Sequence, residues 1–272
     1  MSIIMHPNID AIAVIDPHGK QTVYGLAKEK YRFASVTKVL STLVFAELVE
    51  SGFISFDTLI KDNYFTKGDV CLKDLLSHSS GIRPEYEEPI EPLTKRIYTN
   101  ESFELSEKYI FSSTKYLEGY SISSIFEEGL KIHLNAAIKF SGSSAYGAEG
   151  TFEDLLALLN EIRSPTYISE TTFNFLTTTY ADGLPGILPG FGQYENNSFG
   201  IGFEVKGNKA NHWMGDFASQ KSYGHFGQSG AFIFHDPINM VSIALVSNKD
   251  FGPWAKTEYP KLSSEIYKEI SL

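Results

Sequence analysis

Two rhythms of apolar and polar positions run along the chain, and the places where one gives way to the other mark its elements. Residues 9–15 are nearly all apolar, Asp16-Pro17-His18-Gly19 has the composition of a turn, and residues 21–24 resume an extended pattern, which predicts an opening β-hairpin. Between 36 and 50 the apolar residues Val36, Val39, Leu40, Leu43, Val44 and Leu48 recur at the 3.6-residue period of a helix, with Gly52 as its stop. The far face of that helix is mostly Ser, Thr and Ala, so it is expected to be largely buried.

Helical periodicity returns at 74–76, 103–111, 122–134 and 152–162, and strand signal is weak between about 70 and 163. Thr151 is placed to cap the last of these helices, with Asp154 near the positive end of its dipole. Residues 183–197 are rich in Gly, Pro and Asn and read as a long loop. Strand composition follows at 199–205, 230–234 and 241–247, with a turn at His235-Asp236-Pro237-Ile238-Asn239. Pro260 is expected to open a final amphipathic helix with Leu262, Ile266 and Ile270 on one face. Strands at both ends and helices between them predict an α+β fold. One antiparallel sheet would be built from 1–62 with 186–272 and flanked by helices, and 63–185 would form an inserted, mainly helical lobe.

Composition narrows the function. The 272 residues suffice for one large domain or two smaller ones, and 42% hydrophobic against 21% charged residues is the balance of an ordinary globule. With 23 Lys and Arg against 33 Asp and Glu, the net charge of -10 offers no footprint for nucleic acid or an anionic membrane surface, so neither is expected as a partner. Residues 1–10 lack the basic start of a signal peptide, and no apolar run approaches the ~18 residues of a spanning helix. Cys71 is the single cysteine, which forbids an intrachain disulfide and suits a reducing compartment, so a cytoplasmic location is expected. The seven histidines are scattered without metal-ligand spacing and no Gly-rich phosphate loop exists, so neither metal nor cofactor is expected.

Ser35-Val36-Thr37-Lys38 stands where a loop enters the buried helix. A serine there lies beside unpaired backbone N–H groups and the positive dipole end, which favour a developing oxyanion. Lys38, one turn on along the same face, has reason to lose its proton in a desolvated interior and serve as a base. The same four residues also fit an N-capping serine and a snorkelling lysine, so the neighbourhood has to decide.

Arg32-Phe33-Ala34-Ser35-Val36-Thr37-Lys38, Leu75-Leu76-Ser77-His78-Ser79-Ser80-Gly81-Ile82, Tyr98-Thr99-Asn100 and Gly224-His225-Phe226-Gly227, with Asp236-Pro237 beyond, occur in that order. Together they resemble the class C β-lactamase and DD-peptidase-like serine hydrolases, over most of the chain from about Ile12 to the C-terminal helix. The resemblance implies the β-lactamase/penicillin-binding-protein fold. It implies Ser35 as the acylated nucleophile, Lys38 as its partner lysine, and Tyr98 as a proton shuttle between nucleophile and leaving group. Asn100 would hold the substrate. His225-Phe226-Gly227 would be the strand motif bordering the cleft, with the backbone N–H groups of Ser35 and Gln228 as the oxyanion hole.

Rivals and departures bear on these assignments. Tyr98 stands near Lys95 and Arg96, which also suits a solvated loop. Tyr146-Gly147-Ala148 is a competing tyrosine segment that lacks the amide side chain. His78 is expected to make structural hydrogen bonds at a helix end. Ser229 in Gly227-Gln228-Ser229-Gly230-Ala231 does not sit between a strand and a helix and is a poor nucleophile. His225 replaces the lysine that many lactam-binding members of the family use. An imidazole of ordinary pKa ~6.5 would be mostly neutral at pH 7 and would charge as the pH falls from 8 to 6, improving its hold on carboxylates. Phe226 and Trp213 are candidate cleft walls. The resulting expectation is a metal-independent, cofactor-free serine hydrolase. It would form an acyl-enzyme at Ser35 from an ester, amide or small peptide, its partner being that small-molecule or peptide substrate. A β-lactamase or D-amino-acid peptidase, and a catalytically silent ligand-binding or sensing relative, are the alternatives.

Overall fold

Residues 5–28, 30–60 and 65–270 are described by a computed structural model. The first four residues and the boundary expected at 62/63 lie outside them. The leading apolar run is strand β1 (Ile9–Ile15), and from Ala11 onward it is apolar because both of its faces are covered. Ala11, Ala13 and Ile15 belong to one core, while Ile12 and Val14 belong to the other. Ile9 breaks this parity because the register shifts between Ile9 and Ala11.

β1 pairs with β2 (Gln21–Gly25) on one side. Four strands from the C-terminal part complete the sheet: β3 (Glu204–Val205), β4 (Tyr223–Phe226), β5 (Phe232–Asp236) and β6 (Val241–Ser247). The order is β3-β4-β5-β6-β1-β2, antiparallel throughout. The expected strand over 199–205 shrinks to β3, because Phe199 turns back to form an isolated bridge with Glu204.

Small residues on one sheet face (Ala11, Ala13, Ala244) let helices α1 (Thr37–Glu50) and α6 (Phe152–Arg163) pack closely. Large aromatics on the other face, Phe232 and Phe234, meet Trp213 and Tyr259. The last of these belongs to α8 (Pro253–Ile270), which begins seven residues before Pro260 and carries that proline inside. Pro260 therefore does not open the helix, as the sequence pattern suggested. Pro253 stands at its start, where a missing N–H costs nothing.

The central section supplies α2 (Leu72–Leu76), α3 (Glu101–Ser113), α4 (Ile122–Glu128), α5 (Leu130–Leu134) and α7 (Glu170–Thr177). Gly129, at φ -119° and ψ -89°, splits the single helix expected over 122–134. Thr151 caps α6 as its sequence implied, accepting from Asp154 N while the Asp154 carboxylate accepts from Thr151 N. The segment read as a long loop contains a hairpin, Gly186–Leu188 with Gly192–Tyr194. One continuous hydrophobic core runs from the sheet through α1 into α4 and α6, so helical section and sheet share their packing.

Candidate active site

Ser35 occupies the turn that delivers the chain into α1. Ala34 before it has φ 45°, a left-handed conformation that costs a residue with a Cβ about 1–2 kcal/mol. Residues Ala34–Val36 then form one 3-10 turn that runs into α1 at Thr37. Lys38 follows one turn later and is wholly buried.

The Lys38 Nζ donates to Asn100 Oδ1 at 2.7 Å and to Ala145 O at 3.1 Å, and lies 3.4 Å from Ser35 Oγ. Those three acceptors match the three protons of an ammonium. Burial pulls its pKa down to about 7, against an opposing pull from Glu104 and Glu101 at the start of α3. Both protonation states are therefore populated at neutral pH.

The Tyr98 hydroxyl lies close enough to Ser35 to interact with it, and burial holds the phenol protonated far above its ordinary range. Its ring packs 4.5 Å from that of His78 and 5.0 Å from Lys38 Nζ. Backbone contacts fix this segment: Arg96 N donates to Pro185 O at 2.8 Å and Ile97 N to His78 O at 2.9 Å. Arg96 is not part of a solvated loop. Its buried guanidinium donates to the carbonyls of Ser77 at 2.8 Å, Ala181 at 2.9 Å and Tyr180. Asn100 stands at the N-cap of α3 but turns its side chain to Lys38 in place of capping.

The competing Tyr146 points away, 51% exposed. Its neighbours instead tie a loop to the polar face of α1: Ala145 O accepts from Lys38, Ser144 O from Ser41 at 2.6 Å, and Ala148 N donates to Thr37 Oγ1 at 3.1 Å. His78 follows the end of α2, buried, with its Nδ1 accepting from Thr99 N at 3.4 Å.

β4 ends beside this turn. A Cβ on Gly227 would lie 2.5 Å from Phe33 O, so only glycine permits the strand end to approach the chain leading into Ser35 so closely. Gln228 follows, held by Phe251 N donating to its carbonyl at 2.8 Å. His225 is buried, and its Nδ1 donates to Phe226 O at 2.7 Å, which leaves Nε2 as a lone pair with no partner among the described residues. Burial and the nearby Lys38 push its pKa down to about 4. The expected charging of His225 between pH 8 and 6 is therefore corrected: the imidazole is neutral across that range, because a group shut away from water beside a cation resists a second proton.

Ser35, Tyr98, Asn100, His225 and Gln228 line a cleft of about 250 Å³, completed by Leu188, Pro189, Phe199, Phe226 and Glu204. Trp213 is not a wall. It is fully buried behind Phe226, and its Nε1 donates to Glu204 Oε2 at 2.7 Å. Glu204 and the Leu188-Pro189 turn escaped sequence reasoning. A carboxylate between Phe203 and Val205 in a strand was a signal that could have found the former. Among the described residues no group of three or more His, Cys, Asp or Glu could hold a metal ion, and no helix is long and apolar enough to cross a membrane.

A two-faced sheet with a serine and lysine at the head of a buried helix defines a serine hydrolase of the β-lactamase and penicillin-binding-protein fold. The family model for β-lactamase matches residues 6–265, and the chain belongs to that family. A β-lactamase from Mycobacterium bovis superposes with a TM-score of 0.87 at 29% identity, over 98% of this chain and 96% of that one. Simvastatin synthase from Aspergillus terreus shares the fold at 12% identity, with a TM-score of 0.72 over 97% and 92% of the two chains. In Escherichia coli (strain K12), a protein provisionally named D-alanyl-D-alanine carboxypeptidase is 39% identical over 62 residues. That match spans 22% of this chain and only 14% of the relative.

Proposed function

We propose that the protein hydrolyses esters or amides through an acyl-enzyme at Ser35. The observation that carries this reading is the buried Lys38, near neutral in pKa, 3.4 Å from the Ser35 hydroxyl. The free amine takes the serine proton as Oγ attacks the substrate carbonyl carbon. The backbone N–H groups of Ser35 and Gln228 receive the resulting oxyanion. Tyr98, beside Ser35, relays the proton to the leaving oxygen or nitrogen as its bond to the acyl carbon breaks. Water then attacks the acyl-enzyme by the same route in reverse, giving the acid and free Ser35. Asn100 fixes Lys38 and faces the substrate from the cleft wall.

Ester-like, uncharged substrates suit the cleft better than β-lactams or peptides ending in a carboxylate, because none of its lining residues is Lys or Arg and its imidazole is neutral. Intact-mass analysis after incubation with a fluorophosphonate, a fluorescent penicillin and p-nitrophenyl esters tests the proposal. A fluorophosphonate adduct on Ser35 with ester turnover and no penicillin adduct is the expected result. Absence of any adduct on Ser35 overturns it.

A further inference from the structure

Glu204 is a carboxylate in the wall of an otherwise uncharged cleft, and no acyl-transfer step uses it. It lies on β3 opposite Gly224, next to His225, and is 1% exposed. Three donors keep it ionised: Lys209 Nζ at 3.0 Å, His212 Nε2 at 2.5 Å and Trp213 Nε1 at 2.7 Å. Their pull outweighs burial and lowers its pKa to about 2. His212 is neutral, since its Nδ1 accepts from Met214 N at 3.3 Å while its Nε2 donates to Glu204. The directly paired charges are therefore one anion and one cation; Arg96 and Lys206 act on Lys209 from farther off and, like it, do not line the cleft.

Their arrangement is asymmetric. Lys209 does not line the cleft, and its ammonium turns away to Ser198 O at 2.9 Å and Asn197 Oδ1 at 3.3 Å. The cleft thus faces the negative end of the pair, and that charge acts on both Tyr98 and His225. The His225 Nε2 lone pair, on another wall residue and without a partner among the described residues, is a second acceptor. A carboxylate entering there would meet a like charge and an acceptor with no proton to offer. An amide N–H or an ammonium would meet complementary groups.

Building on the hydrolase reading above, we propose that Glu204 determines substrate charge, barring acyl groups that carry a carboxylate and favouring those that carry a hydrogen-bond donor or a positive charge. This makes Glu204 a specificity residue acting on the bound acyl group, with Lys209 and Trp213 as its positioning partners.

Matched p-nitrophenyl esters whose short acyl chains end in carboxamide, ammonium or carboxylate test the inference. In the wild type, kcat/KM for the carboxamide and ammonium esters exceeds that of the carboxylate ester by about tenfold or more. Glu204→Gln with Lys209→Met removes both charges and brings the three within about twofold. Glu204→Gln alone leaves the lysine unpaired and turns the preference towards the carboxylate. Equal handling by the wild type, or an unchanged ratio in a double variant that folds with a normal melting profile, overturns the inference. Binding of the matched anilides to Ser35→Ala, read by calorimetry, gives the same ratio without chemistry. A ratio of one there also overturns it. Failure of Ser35 to label with fluorophosphonate would instead overturn the hydrolase reading and leave the binding ratio to decide the role of Glu204.

Discussion

The side-chain carbonyl of Asn100 accepts a 2.7 Å hydrogen bond from the Lys38 ammonium, joining positions 62 residues apart. This one contact ties the buried helix that carries the base to the N-terminus of α3. It also costs α3 the side-chain cap that an asparagine at this position would ordinarily give. The lysine is thereby held with an acceptor that carries no charge, so burial is free to lower its pKa.

That relationship predicts a pH profile. The free amine of Lys38 is the reactive form, so kcat/KM for a neutral ester rises as pH increases through about 7 and then levels. Asn100→Asp places an anion beside Lys38, favours the ammonium and moves the rising limb up by about one pH unit or more, with roughly tenfold loss at pH 7 that higher pH recovers. A limb that stays where it is would show that Lys38 does not titrate in the step.

Ser35→Ala removes fluorophosphonate labelling and lowers ester turnover by orders of magnitude while keeping the wild-type melting profile, because alanine suits the 3-10 turn. Lys38→Ala costs nearly as much, and combining the two costs little more, since the pair acts as a unit. Rate measurements on the three variants check both statements.

The two tyrosines should separate cleanly. Tyr98→Phe deletes the hydroxyl beside Ser35 and depresses kcat by about 100-fold or more with little change in stability. Tyr146→Phe alters an exposed side chain and is silent in both. Steady-state kinetics and thermal unfolding of the pair decide it, and the reverse pattern would remove Tyr98 from the mechanism.

Arg96→Met leaves the carbonyls of Ser77, Tyr180 and Ala181 without their donor in a buried site. Unfolding by denaturant should show a loss of about 2–5 kcal/mol. Turnover should fall as well, since Arg96 holds the segment that presents Tyr98.

Much of this protein was legible from local pattern. The 3.6-residue period of 36–50 with its Ser, Thr and Ala far face marks a buried helix, and the observed α1 is buried on nearly every side. The i to i+3 spacing of Ser35 and Lys38 puts them one turn apart wherever that helix lies. Thr151 announces its cap of α6 by position alone, and the structure adds the return bond that the Asp154 carboxylate accepts. The order of the four motifs carries the family and its fold, because it reflects chain connectivity.

What tertiary structure alone decided depends on distance through space and exclusion of water. Only packing buries Lys38 and brings its pKa to about 7, and only packing beside Lys38 keeps His225 neutral at pH 6. Arg96 reads as a surface charge until the carbonyls of Ser77, Tyr180 and Ala181 converge on it. The motif favours Tyr98 over Tyr146 on paper, and the fold turns Tyr146 outward and lays Tyr98 beside Ser35. Glu204 becomes a wall of the cleft only because a two-residue edge strand pairs beside His225 while Lys209 folds behind it. Periodicity and turn chemistry act within a few residues of the chain, whereas a site's charge state is set by neighbours that the sequence places far away, as Lys38 and His225 are.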